Sequence, residues 1–143
     1  MALLHAVLDT NVLVAALRSC DGASYRLLSL IGRHPRLRIH LTVPLVVEYE
    51  ATAKRHAEEL GLTVKDVDVV LDYLCSVADL HEVYFLWRPL LRDPRDDMVL
   101  QAAVTAGSPR IITFNKRHFA GAEQFGIVLL TPAEFLKELG ELK

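Results

Sequence analysis

The feature that most narrows the folds open to this chain is an alternation. Short apolar runs recur along it: "LHAVL" (4–8), "LRIHLTV" (37–43), "EVYFLW" (82–87), "RIITF" (110–114) and "IVLL" (127–130). They are too short for helices, and longer stretches with helical signals lie between them. Strands alternating with helices imply an α/β fold, a three-layer α/β/α sandwich with a mainly parallel, Rossmann-like sheet. In such sheets ligands gather beyond the carboxyl ends of the strands. That rule picks out Asp9, directly after the first run, and the segment after Phe114.

The helical stretches carry start and stop signals. "SYRLLSLIG" (24–32) reads as a short helix closed by Gly32, and Pro44 opens a helix running to about Leu60 with Gly61 as its stop. Val67, Val70, Leu71, Leu74 and Ala78 share one face of an amphipathic helix over 64–78. "DPRDDMVLQAAVTAG" (93–107) is a further helix with a glycine stop. In "TPAE", Thr131 caps, Pro132 takes the first helical position, and Glu134 completes a capping box before a last helix ended by Gly140.

The chain of 143 residues is most economically one domain, 1–143. It has no apolar run of about 18 residues, which argues against a transmembrane span. The start, "MALLHAVLDTN", lacks the basic region and cleavage site of a signal peptide, so a cytoplasmic location is expected. Cys20 and Cys75 make neither a disulfide framework nor a zinc site, and the other histidines, His5, His40, His56 and His81, stand isolated in the sequence. A net charge of −2 gives no global attraction to nucleic acid, so a polynucleotide partner would need local basic patches or a metal. The mean hydropathy of +0.26 points to apolar surface covered by a partner or by a second copy, a homodimer.

Three sources of acid matter. Asp9 interrupts an oily run where it could cap a helix, hold a cation, or do both. In the helix after Asp93, Asp96 stacks with Leu100 and Ala103, where an unpaired carboxylate is costly. Asp97 lies at the edge of that stripe. In "VPLVVEYEATAKR", Glu48 and Glu50 project in different directions, and the apolar stripe lies slightly nearer Glu50. Acids from the first strand, an early helix and a later helix suit a hard divalent cation, Mg²⁺ or Mn²⁺. Such an ion can generate hydroxide and neutralise charge at a phosphodiester.

These residues carry a resemblance. "LDTNVLVAAL", "LTVPLVVEYEATAKR", "RDPRDDMVLQAAVTAG", "RIITFNKRHF" and "FGIVLLTPAEFLKEL" occur in an order and spacing that resembles the PIN-domain ribonucleases, and among them the VapC-like toxins of toxin–antitoxin pairs. The resemblance implies a PIN-like domain over the whole chain and a Mg²⁺- or Mn²⁺-dependent endoribonuclease. It assigns Asp9, Glu48 and Asp96, with Asp97 beside it, to catalysis, and Asp9, Asp96 and Asp97 to the metal. Asn11 is then a polar companion of Asp9. Where many relatives have a Thr-x-Asp pattern, this chain has Thr113–Phe114–Asn115, an uncharged version that favours a single metal ion. Lys116, Arg117 and His118, together with Arg92 and Arg95, are candidates for holding RNA phosphates. The resemblance also implies an antitoxin whose helix or extended segment lies in an apolar groove. The competing expectation is a non-catalytic PIN-like module that binds RNA or protein. A haloacid-dehalogenase-type phosphotransferase would want an acid where Asn11 stands, and a dinucleotide site would want a glycine-rich loop that is absent after the first strand.

Overall fold

The first apolar run forms β1 (Leu4–Leu8), whose residues are almost all buried, as a central strand of a parallel sheet requires. The computed structural model describes residues 2–83 and 90–142. After β1 come α1 (Thr10–Arg18), α2 (Ala23–Leu30), β2 (Leu37–Thr42), α3 (Val43–Arg55) and α4 (Val64–Val77). Then follow β3 (Asp79–His81), α5 (Pro94–Ala106), β4 (Arg110–Ile112), two short 3-10 turns (Lys116–Phe119 and Ala122–Phe125), β5 (Val128–Leu130) and α6 (Pro132–Glu138). The strands form one sheet in the order β3-β2-β1-β4-β5, with every pairing parallel. Among the described residues six α-helices flank it, an α/β/α sandwich.

The crossover from β1 to β2, carrying α1 and α2, runs in one direction along the sheet, and that from β3 to β4, carrying α5, runs in the other. Equal right-handedness therefore sets them on opposite faces. The strand order reverses between β1 and β4, which places the switch point of the sheet at the end of β1, beside Asp9.

Local chemistry sets the element ends. Both Thr63–Asp66 and Thr131–Glu134 form reciprocal capping boxes, and Gly107 ends α5 at φ 65. α3 stops at Arg55, earlier than the expected Leu60, because the chain winds into turns. Gly61, at φ 73, closes the turn in which Leu62 N–H reaches Ala57 O rather than the helix itself.

The third strand also differs from expectation. It is Asp79–His81, Glu82 and Val83 lie outside any strand, and residues 84–87 of the expected run lie outside the described residues. Its position is fixed by register: His40, Leu41 and Thr42 of β2 pair with Asp79, Leu80 and His81. Histidines read as isolated in sequence meet across the strands. His5 Nδ1 lies 2.8 Å from His40 Nε2, and His40 Nδ1 lies 2.8 Å from His81 Nε2. The three rings make a hydrogen-bonded ladder over β1, β2 and β3.

Both cysteines are free thiols. Among the described residues no helix is long and apolar enough to cross a membrane.

Candidate active site

Asp9 is the pivot. It follows β1 at the position preceding α1, in extended backbone, and its side chain makes no capping bond to that helix. Its N–H bonds to Ile112 O at 2.9 Å, tying it to the end of β4. Thr113, the next residue of that strand end, donates its hydroxyl to Asp9 Oδ2 at 2.7 Å and accepts the Asn115 N–H at 2.9 Å. One hydroxyl thus links the loop after β4 to the acid after β1. The carboxylate is 3% exposed, and burial raises its pKa, while the Thr113 hydroxyl and the amides of Thr10 and Asn11 oppose that rise.

Tyr49 belongs to the apolar stripe of α3, and spacing alone gives no sign of what its hydroxyl does. It is fully buried and donates its hydroxyl to Leu8 O at 2.5 Å, pinning α3 to the last residue of β1. Burial, with the Asp9 charge nearby, holds this phenol well above its ordinary pKa, so it stays a proton donor.

On α3 the choice left open by periodicity is resolved. Glu48 is buried with Leu45, Tyr49, Thr52 and Ala53, whereas Glu50 is exposed and paired with Lys54 at 3.4 Å. The slight lean of the apolar stripe towards Glu50 does not hold, because Val46 is only half-buried, Val47 is exposed and Thr52 lies on the buried face. Glu48 Oε1 accepts the Thr52 hydroxyl at 2.9 Å.

At the start of α5, Asp93 caps the helix through Arg95 N–H at 2.9 Å and also pairs with the Arg95 side chain. The Arg95 amide and guanidinium hold the Asp93 carboxyl below the usual range. Asp96 continues the stripe of Leu100 and Ala103 past the end of the sheet, with its side chain 13% exposed. Its pKa is pushed up to about 6 by burial, then by the charges of Asp9 and Asp93, against the pull of His118 and Arg95. Asp97 is more buried, for a reason that a helical wheel does not contain. Its Oδ1 accepts the N–H groups of Leu90 (3.1 Å) and Leu91 (2.9 Å), so it fastens the preceding segment onto the helix.

A cavity of about 730 Å³ opens beside this helix start. Asp93, Asp96, Arg92, Arg117 and His118 supply its polar lining, and Leu90, Leu91, Pro94 and Ala120 the apolar part. His118 Nδ1 stands 3.5 Å from Asp96 Oδ2. Lys116 is turned away to Glu134 at 2.7 Å. Asn11 is exposed on the first turn of α1, and Asn115 is half-buried at the loop joined to Asp9 through Thr113.

Asp9 and Asp96 thus repel one another at a half-buried site. Among the described residues no three His, Cys, Asp or Glu side chains stand together as a ready-made ion cage. Asp96 on an open cavity, with the buried Asp9 within its electrostatic reach, nonetheless suits a cation such as Mg²⁺, which keeps several waters and leans on one or two carboxylates. Burial raises the pKa of both acids, and for Asp96 the charges of Asp9 and Asp93 add to that rise.

Against known proteins, a profile described as PIN domain matches residues 5–117. No curated protein sequence matches significantly. Among solved structures the fold is similar to a chain of VapBC2 from Rickettsia felis, solved bound to a DNA fragment from their promoter. That likeness has a TM-score of 0.56 at 14% identity, over 90% of this chain and 98% of the other. With a profile match across most of its length and the same fold, the chain belongs to the PIN domain family.

Proposed function

We propose that this protein is a Mg²⁺- or Mn²⁺-dependent endoribonuclease and the toxin of a type II toxin–antitoxin pair. The observation that carries the reading is the placement of Asp96 on the cavity at the start of α5, within electrostatic reach of the buried Asp9 at the switch point of the sheet. A bound Mg²⁺ or Mn²⁺ supplies a Lewis acid for the phosphodiester and a water of lowered pKa. The chain's own residues do the rest. Asp9 and Asp96 hold the ion, and Thr113 keeps Asp9 in one rotamer. Glu48, steadied by Thr52, stands on α3 to accept a proton or orient a water. Arg92 and Arg117 bring positive charge to an otherwise acidic cleft. Asp97, committed to the backbone of Leu90 and Leu91, acts by holding the cavity wall. The antitoxin partner is carried over from VapBC2, which shares the fold, and the exposed Val43, Val47, Val69 and Leu80 offer apolar surface for it or for a second copy.

The test is cleavage of RNA with Mg²⁺, Mn²⁺ or chelator, comparing wild type with Asp9→Asn and Asp96→Asn, alongside melting temperature with and without Mn²⁺. Metal-dependent cleavage and metal-induced stabilisation, both lost in the variants, support the reading. RNA binding without cleavage or metal-induced stabilisation favours a non-catalytic module, which Asn115 in place of an acid would suit.

A further inference from the structure

We infer that the cavity beside Asp96 is a one-nucleotide subsite: Arg92 and Arg117 hold a phosphate adjacent to the one being cut, and Leu90, Leu91 and Pro94 form a wall for that nucleotide's base. The inference rests on the ribonuclease reading above. Its first support is which basic side chains are already engaged. Arg95 is paired with Asp93 and Lys116 with Glu134, and the His118 ring stands by Asp96, while further off Arg18, Arg26 and Arg110 pair with Glu59, Glu141 and Glu138. Arg92 and Arg117 line the cavity, are exposed, and have no carboxylate within ion-pair distance among the described residues. Two guanidiniums left open at the mouth of a cleft are suited to bidentate capture of a phosphate.

The second support is the wall. Leu90, 47% exposed, gives the cavity an apolar side together with Leu91 and Pro94. Oδ1 of the buried Asp97 carboxylate fixes the backbone of Leu90 and Leu91 by accepting both N–H groups. Holding an exposed apolar surface in one pose makes sense when a flat partner stacks on it. The cavity volume of about 730 Å³ falls in the range of small-ligand sites, which suits one unstacked nucleotide.

The experiment measures binding of a fluorescent single-stranded RNA 12-mer by anisotropy in chelator, over a salt series, and cleavage of the same RNA in Mn²⁺. Arg92→Ala and Arg117→Ala should each weaken binding about 5–10-fold and lower the salt slope by roughly 0.7 per lost contact. Leu90→Ser should remove the preference for an intact strand over one carrying a single abasic position at the cut. Both arginines are exposed, so unchanged melting temperatures would certify the fold. Unchanged affinity and slope in both arginine variants would overturn the subsite even if wild type cleaves RNA. If the variants lose binding as described while wild type cleaves nothing, the subsite stands and the nuclease reading falls.

Discussion

Asp96 carries a negative charge that its surroundings resist. Burial and the charges of Asp9 and Asp93 push its pKa to about 6. A carboxyl whose folded pKa is raised stabilises the fold below its unfolded pKa of 3.8, and that contribution is lost as pH rises through about 6. At pH 7 without cation, Asp96→Asn should therefore stabilise the protein. The gain should be about 1 kcal/mol after allowing for solvent screening, or ~3 °C in Tm, and the same change should abolish stabilisation by Mn²⁺. Scanning calorimetry with and without Mn²⁺ checks both; a variant less stable than wild type in chelator would mean that the two acids do not repel. Thr113 makes the opposite case. Thr113→Val deletes the hydroxyl shared by the buried Asp9 carboxylate and the half-buried Asn115 amide, at a cost of about 1–3 kcal/mol. Urea unfolding should show that loss, with weakened metal affinity, whereas Thr113→Ser should recover most of both.

The sheet elements hold a second titrating system. A neutral imidazole has one N–H and one acceptor, so His40 donates to one neighbour in the ladder and accepts from the other. Burial, then the neighbouring His81, lowers its pKa from 6.5 to about 4. A depressed folded pKa means stability that is full above pH 6.5 and is lost as pH falls towards about 4. The urea midpoint of the wild type should fall over that interval, and His40→Leu should flatten the fall; equal acid slopes in the two proteins would remove His40 as a cause. The ladder also shows what a sequence can and cannot carry. The apolar run of β1, the "TPAE" capping box and the glycine after α5 are local signals and were legible. β3 was not, because Asp79–His81 has no apolar pattern of its own and owes its strand to pairing with β2. For the same reason the three histidines looked isolated until register brought them together. Asp9 and Asp96 could be read from strand end and helix stripe. Glu48 came from the family resemblance rather than from periodicity, and the burial of Asp97 depends on a loop folding back over its helix.

At the scale of the molecule, the site is where otherwise separate parts of the topology meet. β1 and β4 come from opposite halves of the sheet, α3 arrives through Tyr49, and α5 contributes Asp96 from the crossover between β3 and β4. The centre of that junction is acidic, so repulsion there acts on the joint between halves rather than on one element. A cation that reaches Asp9 and Asp96 binds only the folded chain and should stabilise it by RT ln(1 + [L]/Kd), about 2.7 kcal/mol at a hundredfold excess over Kd. Hydrogen exchange should localise the effect: Mn²⁺ should slow exchange at the Asp9, Thr113 and Asn115 amides, and leave the α4 amides, remote from the junction, unchanged. Asp9→Asn should lose the protection while keeping the cation-free pattern. Uniform slowing across the molecule, or protection that persists in Asp9→Asn, would place the ion elsewhere and remove this junction from the chemistry.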